Sequence, residues 1–184
     1  MALPSTIYRA NIQLSHIDRN LYEALQVTVA RHPSETAERL VARLLAFALF
    51  AGPDLAFTKG ICAGDEPDLW IKGPDGRVLL WIETGLPDPD RLTKASRHAE
   101  RVIVLACGTS QASWTRQHLP KLSPIPNLTV IGLEQEFLGR LVSRLARSIS
   151  WSLTVTEGSL YLGLEDETLE SVLSHLSGPE PFAP

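Results

Sequence analysis

Apolar and polar positions alternate near the start of the chain. Tyr8, Ala10, Ile12 and Leu14 share one parity and Arg9, Asn11 and Gln13 the other, the period of a strand with one buried face. SHIDRN follows as a loop, and Leu25, Val27 and Val29 carry the same period onward, so residues 5–30 are expected to form an antiparallel hairpin. The period then lengthens. Between Glu35 and Phe50, the residues Ala37, Leu40, Val41, Leu44, Leu45 and Ala48 fall on one helical face, with Ser34 as the expected N-cap and Gly52-Pro53 as the stop. On that wheel Glu38 lies at the border of the apolar face, while Glu35, Arg39 and Arg43 fall on the wet side.

Three short strands are expected next, at about Leu55–Thr58, Asp68–Lys72 and Val78–Glu83, the last two joined by the turn Gly73-Pro74-Asp75-Gly76. Asp88-Pro89 starts a helix, with Asp as cap and Pro at the first helical position, running to about Ala99. RVIVLA, Arg101–Ala106, is continuously apolar and reads as a central strand covered on both faces. A short helix at Ser110–His118, a strand at Leu128–Gly132 and a helix at Glu134–Arg147 follow. A hairpin of Ser150–Thr156 and Leu160–Leu164 turns at Glu157-Gly158, and residues 177–184 read as a frayed, Pro-rich tail. This order predicts an α/β fold, a mixed sheet flanked by helices with β-hairpins added at both ends. It forms one domain over residues 1–184, with its core at about 34–132 and a C-terminal helix and hairpin at 134–165.

Composition narrows the possible functions. The chain has 184 residues, 44% hydrophobic and 21% charged, which is a globular composition with enough length for a sizeable core. A net charge of −4 argues against a broad basic surface for nucleic acid and leaves room for a local patch. Cys62 and Cys107 are too few for a disulfide framework or a Cys-rich zinc site and read as packed thiols. The N-terminus shows no signal-peptide pattern, and the longest apolar run, around Leu40 to Ala51, is short and broken by Arg43. The expectation is a cytoplasmic protein with no membrane segment.

The chemistry concentrates in EPDLWIKGPDGRVLLWIETGLPDPDRLTKAS, Glu66 to Ser96. If Asp68–Lys72 and Val78–Glu83 pair as a hairpin, Asp68 and Glu83 come to the same end of the sheet. Two carboxylates there repel, and a hard divalent cation removes the conflict. The spacing alone is equally that of two acids ending strands at the solvent boundary. Glu38, on the first helix, is a third acid able to reach the same place, or else a rim residue of its own helix. On the second helix Arg91, Lys94 and His98 share a face beside Leu92, Ala95 and Ala99. Lys94 is the candidate base and Arg91 the candidate phosphate clamp, against the plainer reading of a solvated basic face. Glu66, Lys59, His32 and Glu35 are possible neighbours of the site. Cys107-Gly108-Thr109-Ser110 matches neither GxGxxG nor GxxxxGK[ST].

Together, ARHPSET, EPDLW, WIETGLPD and RLTKA resemble the YaeQ family along the whole chain, and the Asp68/Glu83 arrangement resembles the wider PD-(D/E)XK nuclease-like superfamily. The resemblance implies a restriction-endonuclease-like fold in a cytoplasmic bacterial protein. It implies Mg²⁺ (or Mn²⁺) held by Asp68 and Glu83, Glu38 as the helix-borne acid, and DNA or RNA as substrate. The superfamily places a lysine two residues after the second acid; here that residue is Gly85, and Lys94 matches members in which the lysine has moved to the following helix. The two functions to weigh are a Mg²⁺-dependent phosphodiesterase and a non-catalytic nuclease-fold protein that binds nucleic acid or a protein partner.

Overall fold

A computed structural model describes residues 4–59 and 64–182. Cys62 therefore lies outside the described residues, as do the last two residues of the expected tail. The N-terminal hairpin is β1 (Thr6–His16) and β2 (Leu21–Arg31), in continuous antiparallel register from Thr6↔Arg31 to His16↔Leu21. Next come α1 (Ala37–Leu49), β3 (Ala56–Phe57), β4 (Leu69–Lys72), β5 (Val78–Thr84), α2 (Pro89–His98), β6 (Ala99–Ala106), α3 (Gln111–Leu122), β7 (Leu128–Gly132) and α4 (Gln135–Ser143). The chain closes with β8 (Ser148–Thr156), β9 (Ser159–Gly163), β10 (Thr168–Val172) and β11 (Ser174–Ser177).

These strands build two mixed sheets. One has the order β11-β7-β6-β5-β4-β3, with β5, β6 and β7 parallel. The other has the order β10-β9-β8-β1-β2. The terminal hairpins are thus not separate additions to a single sheet, as the sequence pattern suggested. They merge through parallel pairing of β1 with β8, in which Ala10, Ile12 and Leu14 stand beside Ile149, Trp151 and Leu153. All six are buried in one core cluster, so burying two matched apolar faces together drives the merger.

α1 lies in that same core cluster, with residues of β1 and β8 from one sheet and of β5 and β6 from the other; α4 packs beside it. This corrects the reading of α1 as a one-faced helix with Glu35 and Arg43 in water. Nine of its residues are buried, and Arg43 and Glu35 are each 4% exposed. They satisfy each other across 2.9 Å. The cap is Thr36, whose hydroxyl accepts from Arg39 N at 3.2 Å, while the Ser34 hydroxyl pairs with His32 Nδ1. α2 and α3 cover the opposite face of the parallel strands through Leu92, Ala95, Trp114 and Leu122, packed on Trp81, Val102, Val104 and Val130.

Two further corrections concern the C-terminal part. α4 ends at Ser143, before Arg147, whose carbonyl is already accepting from Arg9 N as the chain enters β8. The tail is packed up to Phe182, whose ring meets His16 edge-on at 4.6 Å and tilts against Phe50. Thr129 Oγ1 and Arg101 Nη2 bind the carbonyls of Pro179 and Pro181. Gly178, at φ +89, passes so close to Leu128 that a Cβ there would sit 2.0 Å from its carbonyl oxygen. No helix among the described residues is long and apolar enough to cross a membrane.

Candidate functional site

The carboxyl ends of parallel strands are where α/β sheets collect polar chemistry. Here a cavity of about 520 Å³ opens at the end of β5, bounded by the start of α1, the turn into α2 and residues Gly64 and Glu66. Asp68 and Glu83 both reach this end of the sheet, yet different elements hold them.

Glu83 is 2% exposed and lines the cavity. Strand alternation puts it on the same face of β5 as Trp81, and the Trp81 Nε1–H donates to its Oε1 at 2.9 Å. Arg91 Nε donates to the same oxygen at 2.7 Å. No described residue hydrogen-bonds Glu83 Oε2. Burial pushes the Glu83 carboxyl above its ordinary range; Arg91 opposes that shift and the nearby Asp68 adds to it.

Asp68 is fully buried just before β4. Its Oδ2 accepts from the Thr84 N–H and the Thr84 hydroxyl, both at 2.8 Å. Its Oδ1 accepts from Arg39 Nη2 at 2.7 Å, with Arg43 Nε 3.9 Å away. α1 and α2 lie on opposite faces of the sheet, and each sends one guanidinium to one acid: Arg39 to Asp68, Arg91 to Glu83.

The other candidates disperse around this centre. Glu38 lines the cavity and accepts from Gln135 Nε2 of α4 at 2.9 Å. Glu66 lines it too, and its carbonyl accepts from Arg91 Nη2. With a further bond to the Gly64 carbonyl, Arg91 has all three of its nitrogens engaged inside the chain. Glu35 faces both this cavity and a smaller one of about 250 Å³, which His32, Lys59 and Arg43 line. His32 is fixed by Ser34, and its backbone N–H donates to Glu35 Oε2 at 3.3 Å. Lys59 is exposed, its backbone N–H 3.5 Å from Glu66 Oε2. Lys94 is exposed on the outside of α2 and does not line the cavity. Cys107 lines it, with its thiol pushed by burial up to about 11. Among the described residues no group of three or more His, Cys, Asp and Glu side chains is placed to hold a metal.

A family model described as "YaeQ protein" matches residues 1–173. The chain belongs to the YaeQ family. It is 37% identical over 180 residues to the uncharacterised YaeQ protein of Escherichia coli (strain K12), covering 97% of this chain and 99% of that one. The crystal structure of the YaeQ protein from Pseudomonas syringae superposes with a TM-score of 0.91 at 40% identity, over 97% of this chain and 99% of that one. That of the YaeQ protein from Xanthomonas axonopodis pv. citri gives 0.91 at 33% identity, over 96% and 100%. The YaeQ fold is thus the two-sheet arrangement described above.

Sequence reasoning passed over four side chains of this YaeQ site: Arg39, Arg43, Thr84 and Trp81. Two signals were available. Arg39 and Arg43 stand i, i+4 on α1, so they point the same way. Trp81 and Glu83 stand i, i+2 on a strand, so they share a face.

Proposed function

We propose that the protein is a divalent-cation-dependent phosphodiesterase acting on DNA or RNA, of the PD-(D/E)XK type with a restriction-endonuclease-like core in β3–β7, α1 and α2. The observation that carries this reading is the charge of the cavity. Four carboxylates, Glu35, Glu38, Glu66 and Glu83, line it against two guanidiniums, Arg39 and Arg91. A bare phosphate entering there meets net negative charge, whereas a hard cation offsets it and then attracts the phosphate. Glu83, with Oε2 free of hydrogen bonds among the described residues, would be the first ligand, and Asp68, fully buried behind the lining of the cavity, would be the second. Mg²⁺ suits a set of this kind, because it commonly takes one or two carboxylates and completes its shell with water and substrate phosphate.

When bound, the ion supplies polarisation of a phosphate oxygen and a water of lowered pKa. The chain's own residues do the rest. Trp81 and Arg91 fix the Glu83 carboxylate from one side, so that Oε2 is presented to the cavity. Thr84 holds Asp68 Oδ2 and Arg39 holds Oδ1, so the Asp68 carboxylate is fixed in place. Gly85 stands where the superfamily's lysine is expected; its backbone is at φ +88, a conformation that strains a side-chain-bearing residue. The cationic role passes to other positions. Lys94 and Arg97 on α2 and Arg116 and Lys121 on α3 are exposed on the helical layer that covers one face of the sheet, and none of the four forms an ion pair among the described residues. That layer gives a nucleic-acid backbone a local basic track on an acidic protein. The same reading puts the protein in the cytoplasm.

The second reading, a nuclease-fold protein that binds nucleic acid or a partner protein without cutting, draws on the capping of both Asp68 oxygens by side chains of the chain itself. One experiment separates the two. Single- and double-stranded DNA and RNA are incubated with wild type, Glu83→Ala and Lys94→Ala in Mg²⁺ or Mn²⁺. Metal-dependent cleavage lost by at least a hundredfold in Glu83→Ala is the expected result. Binding without cleavage, or equal trace cleavage in all three proteins, rules for the second reading.

A further inference from the structure

The edge of a sheet carries backbone N–H and C=O groups that no strand pairs, and proteins manage such edges with short strands, bulges, charges or a covering group. Among the described residues, three of the edges here are managed in that way. β3 is two residues long. β11 is four residues long, and its register with β7 shifts between His175 and Ser177. β10 has Glu134 against it, whose Oε2 accepts from the Val172 N–H at 3.2 Å and from the Ser171 hydroxyl at 2.7 Å. β2 is the exception. Its 11 residues, LYEALQVTVAR, include no proline, glycine or lysine and pair with β1 in unbroken register. One bond fixes which of its groups point outward. Arg9 N donates to the Arg147 carbonyl, so the odd-numbered residues of β1 turn their backbone groups toward β8 and the even-numbered ones toward β2. Tyr8 faces Val29 and Ala10 faces Val27, so the odd-numbered residues of β2 are the ones bonded to β1. Tyr22, Ala24, Gln26, Thr28 and Ala30 therefore point N–H and C=O away from the sheet. All five are exposed, and none of these backbone groups has a partner among the described residues.

The strand's own sequence says what fits this edge. An antiparallel pair of two β2 strands about a two-fold axis continues the sheet, inner face beside inner face. Outward groups oppose outward groups only when the axis passes through a residue. With the axis at Val27, Glu23 of each copy stands opposite Arg31 of the other, and these are the only two charged residues of the strand. No other centre pairs them. The same register sets Leu25 opposite Val29 and Val27 opposite itself on the inner face. Leu25 and Val27 pack on the core but are only half-buried in one copy, so the pairing extends their cover. Gln26 meets Thr28, and Ala24 meets Ala30, and these are residues whose backbone groups point outward. Glu23 forms no ion pair among the described residues. Arg31 spends its Nε on the Glu35 carbonyl at 2.9 Å, which leaves its terminal nitrogens for a carboxylate. We propose that the chain associates with a second copy of itself through β2, as a two-fold dimer in which Glu23 of each protomer pairs with Arg31 of the other. This goes beyond the reading of the cavity and does not depend on it. The contact adjoins the cavity all the same, because Glu35, which Arg31 holds, is one of its lining residues.

The test is sedimentation velocity on the full chain. One strand from each protomer makes a small interface, so wild type is expected to be half dimeric at roughly 100 µM and is followed from about 5 to 500 µM. Gln26→Pro deletes an outward N–H and leaves the bonds to β1 intact, so it is expected to stay monomeric over that range with a urea midpoint near that of wild type. Glu23→Arg and Arg31→Glu each set like charges face to face and are expected to dimerise about tenfold more weakly. An equimolar mixture of those two variants restores opposite charges at both positions and should return association to the wild-type level. Wild type that stays monomeric at the highest concentration overturns the proposal, as does a dimer that Gln26→Pro leaves intact. A mixture that associates no better than its components overturns the register centred on Val27. Amide hydrogen exchange of wild type alone gives a readout that needs no variant. The N–H groups of Ala24, Gln26, Thr28 and Ala30 should exchange more slowly in concentrated than in dilute protein, and unchanged exchange at all four overturns the proposal.

Discussion

The buried pair of Glu35 and Arg43 invites a quantitative test. Both side chains are almost fully enclosed, 3% and 4% exposed, and their charged atoms lie 2.9 Å apart. In Arg43→Met the stem is kept and the charge removed. Glu35 then retains one long hydrogen bond, from His32 N at 3.3 Å, as its compensation in an apolar setting. Stranding one member of such a pair costs about 3–5 kcal/mol. Loss of the Arg43 guanidinium from the Phe57 ring, 5.2 Å away, adds about 0.5–1 kcal/mol. In Glu35→Gln/Arg43→Met no charge is left behind, and the expected cost falls to about 1–2 kcal/mol. Urea unfolding of wild type, both single variants and the double variant at pH 7 measures all four terms, and the double-mutant cycle isolates the coupling. A loss below about 1 kcal/mol in Arg43→Met, or single effects that simply add in the double variant, refutes the claim that the two charges depend on each other.

His16 should make stability depend on pH. It is fully buried, and neither ring nitrogen has a hydrogen-bond partner among the described residues. Burial, with Arg19 contributing, pulls its pKa from 6.5 down to about 4. The unfolded chain therefore takes up the proton first as pH falls, so the stabilisation is complete above about 6.5 and is lost between 6.5 and 4. Going from pH 7 to pH 5 should remove about 2 kcal/mol, read from urea midpoints, and His16→Leu should flatten that part of the curve. An equally steep fall in His16→Leu would show that another group is responsible. Cys107, with its thiol raised from 9.0 to about 11, should react with iodoacetamide at pH 8 about a hundredfold more slowly than an unperturbed thiol. Site-resolved mass spectrometry checks this, and rapid native labelling at Cys107 is the contrary result.

Local pattern carried much of the secondary structure. The alternation of Tyr8 to Leu14, the Asp88-Pro89 start of α2 and the run at RVIVLA all encode elements through their own side chains, and the structure has strands or helices at each. The union of the two terminal hairpins was not legible, because Ala10 meets Ile149 by tertiary pairing and no local period announces a partner so distant. The same gap hid the burial of Glu35 and Arg43. A helical wheel assigns water to whichever face is polar, and it cannot know that a second sheet will cover that face. At the site, the sequence brought Asp68 and Glu83 to one end of the sheet through the turn at Gly73–Gly76. It did not reveal that each acid has its own guanidinium, since Arg39 approaches from α1, on the far side of the sheet from Arg91. β10 and β11 also escaped notice: ETLESVLSHLS alternates weakly, and these strands form against neighbours already in place, β9 and β7.

The parallel pairing of β1 with β8 has a consequence for synthesis. β1 leaves the ribosome well before β8, and its hairpin partner β2 follows at once. The strand that closes its other edge begins only at Ser148. Until β8 emerges the edge of Arg9–His16 stays open, and Ile12 and Leu14 await α1 on one side and Trp151 and Leu153 beside them. An open apolar edge is a template for the wrong neighbour. The nascent chain is therefore most exposed to misassociation while the site-bearing sheet is being made, and the step that ends this interval is delivery of its own C-terminal strands.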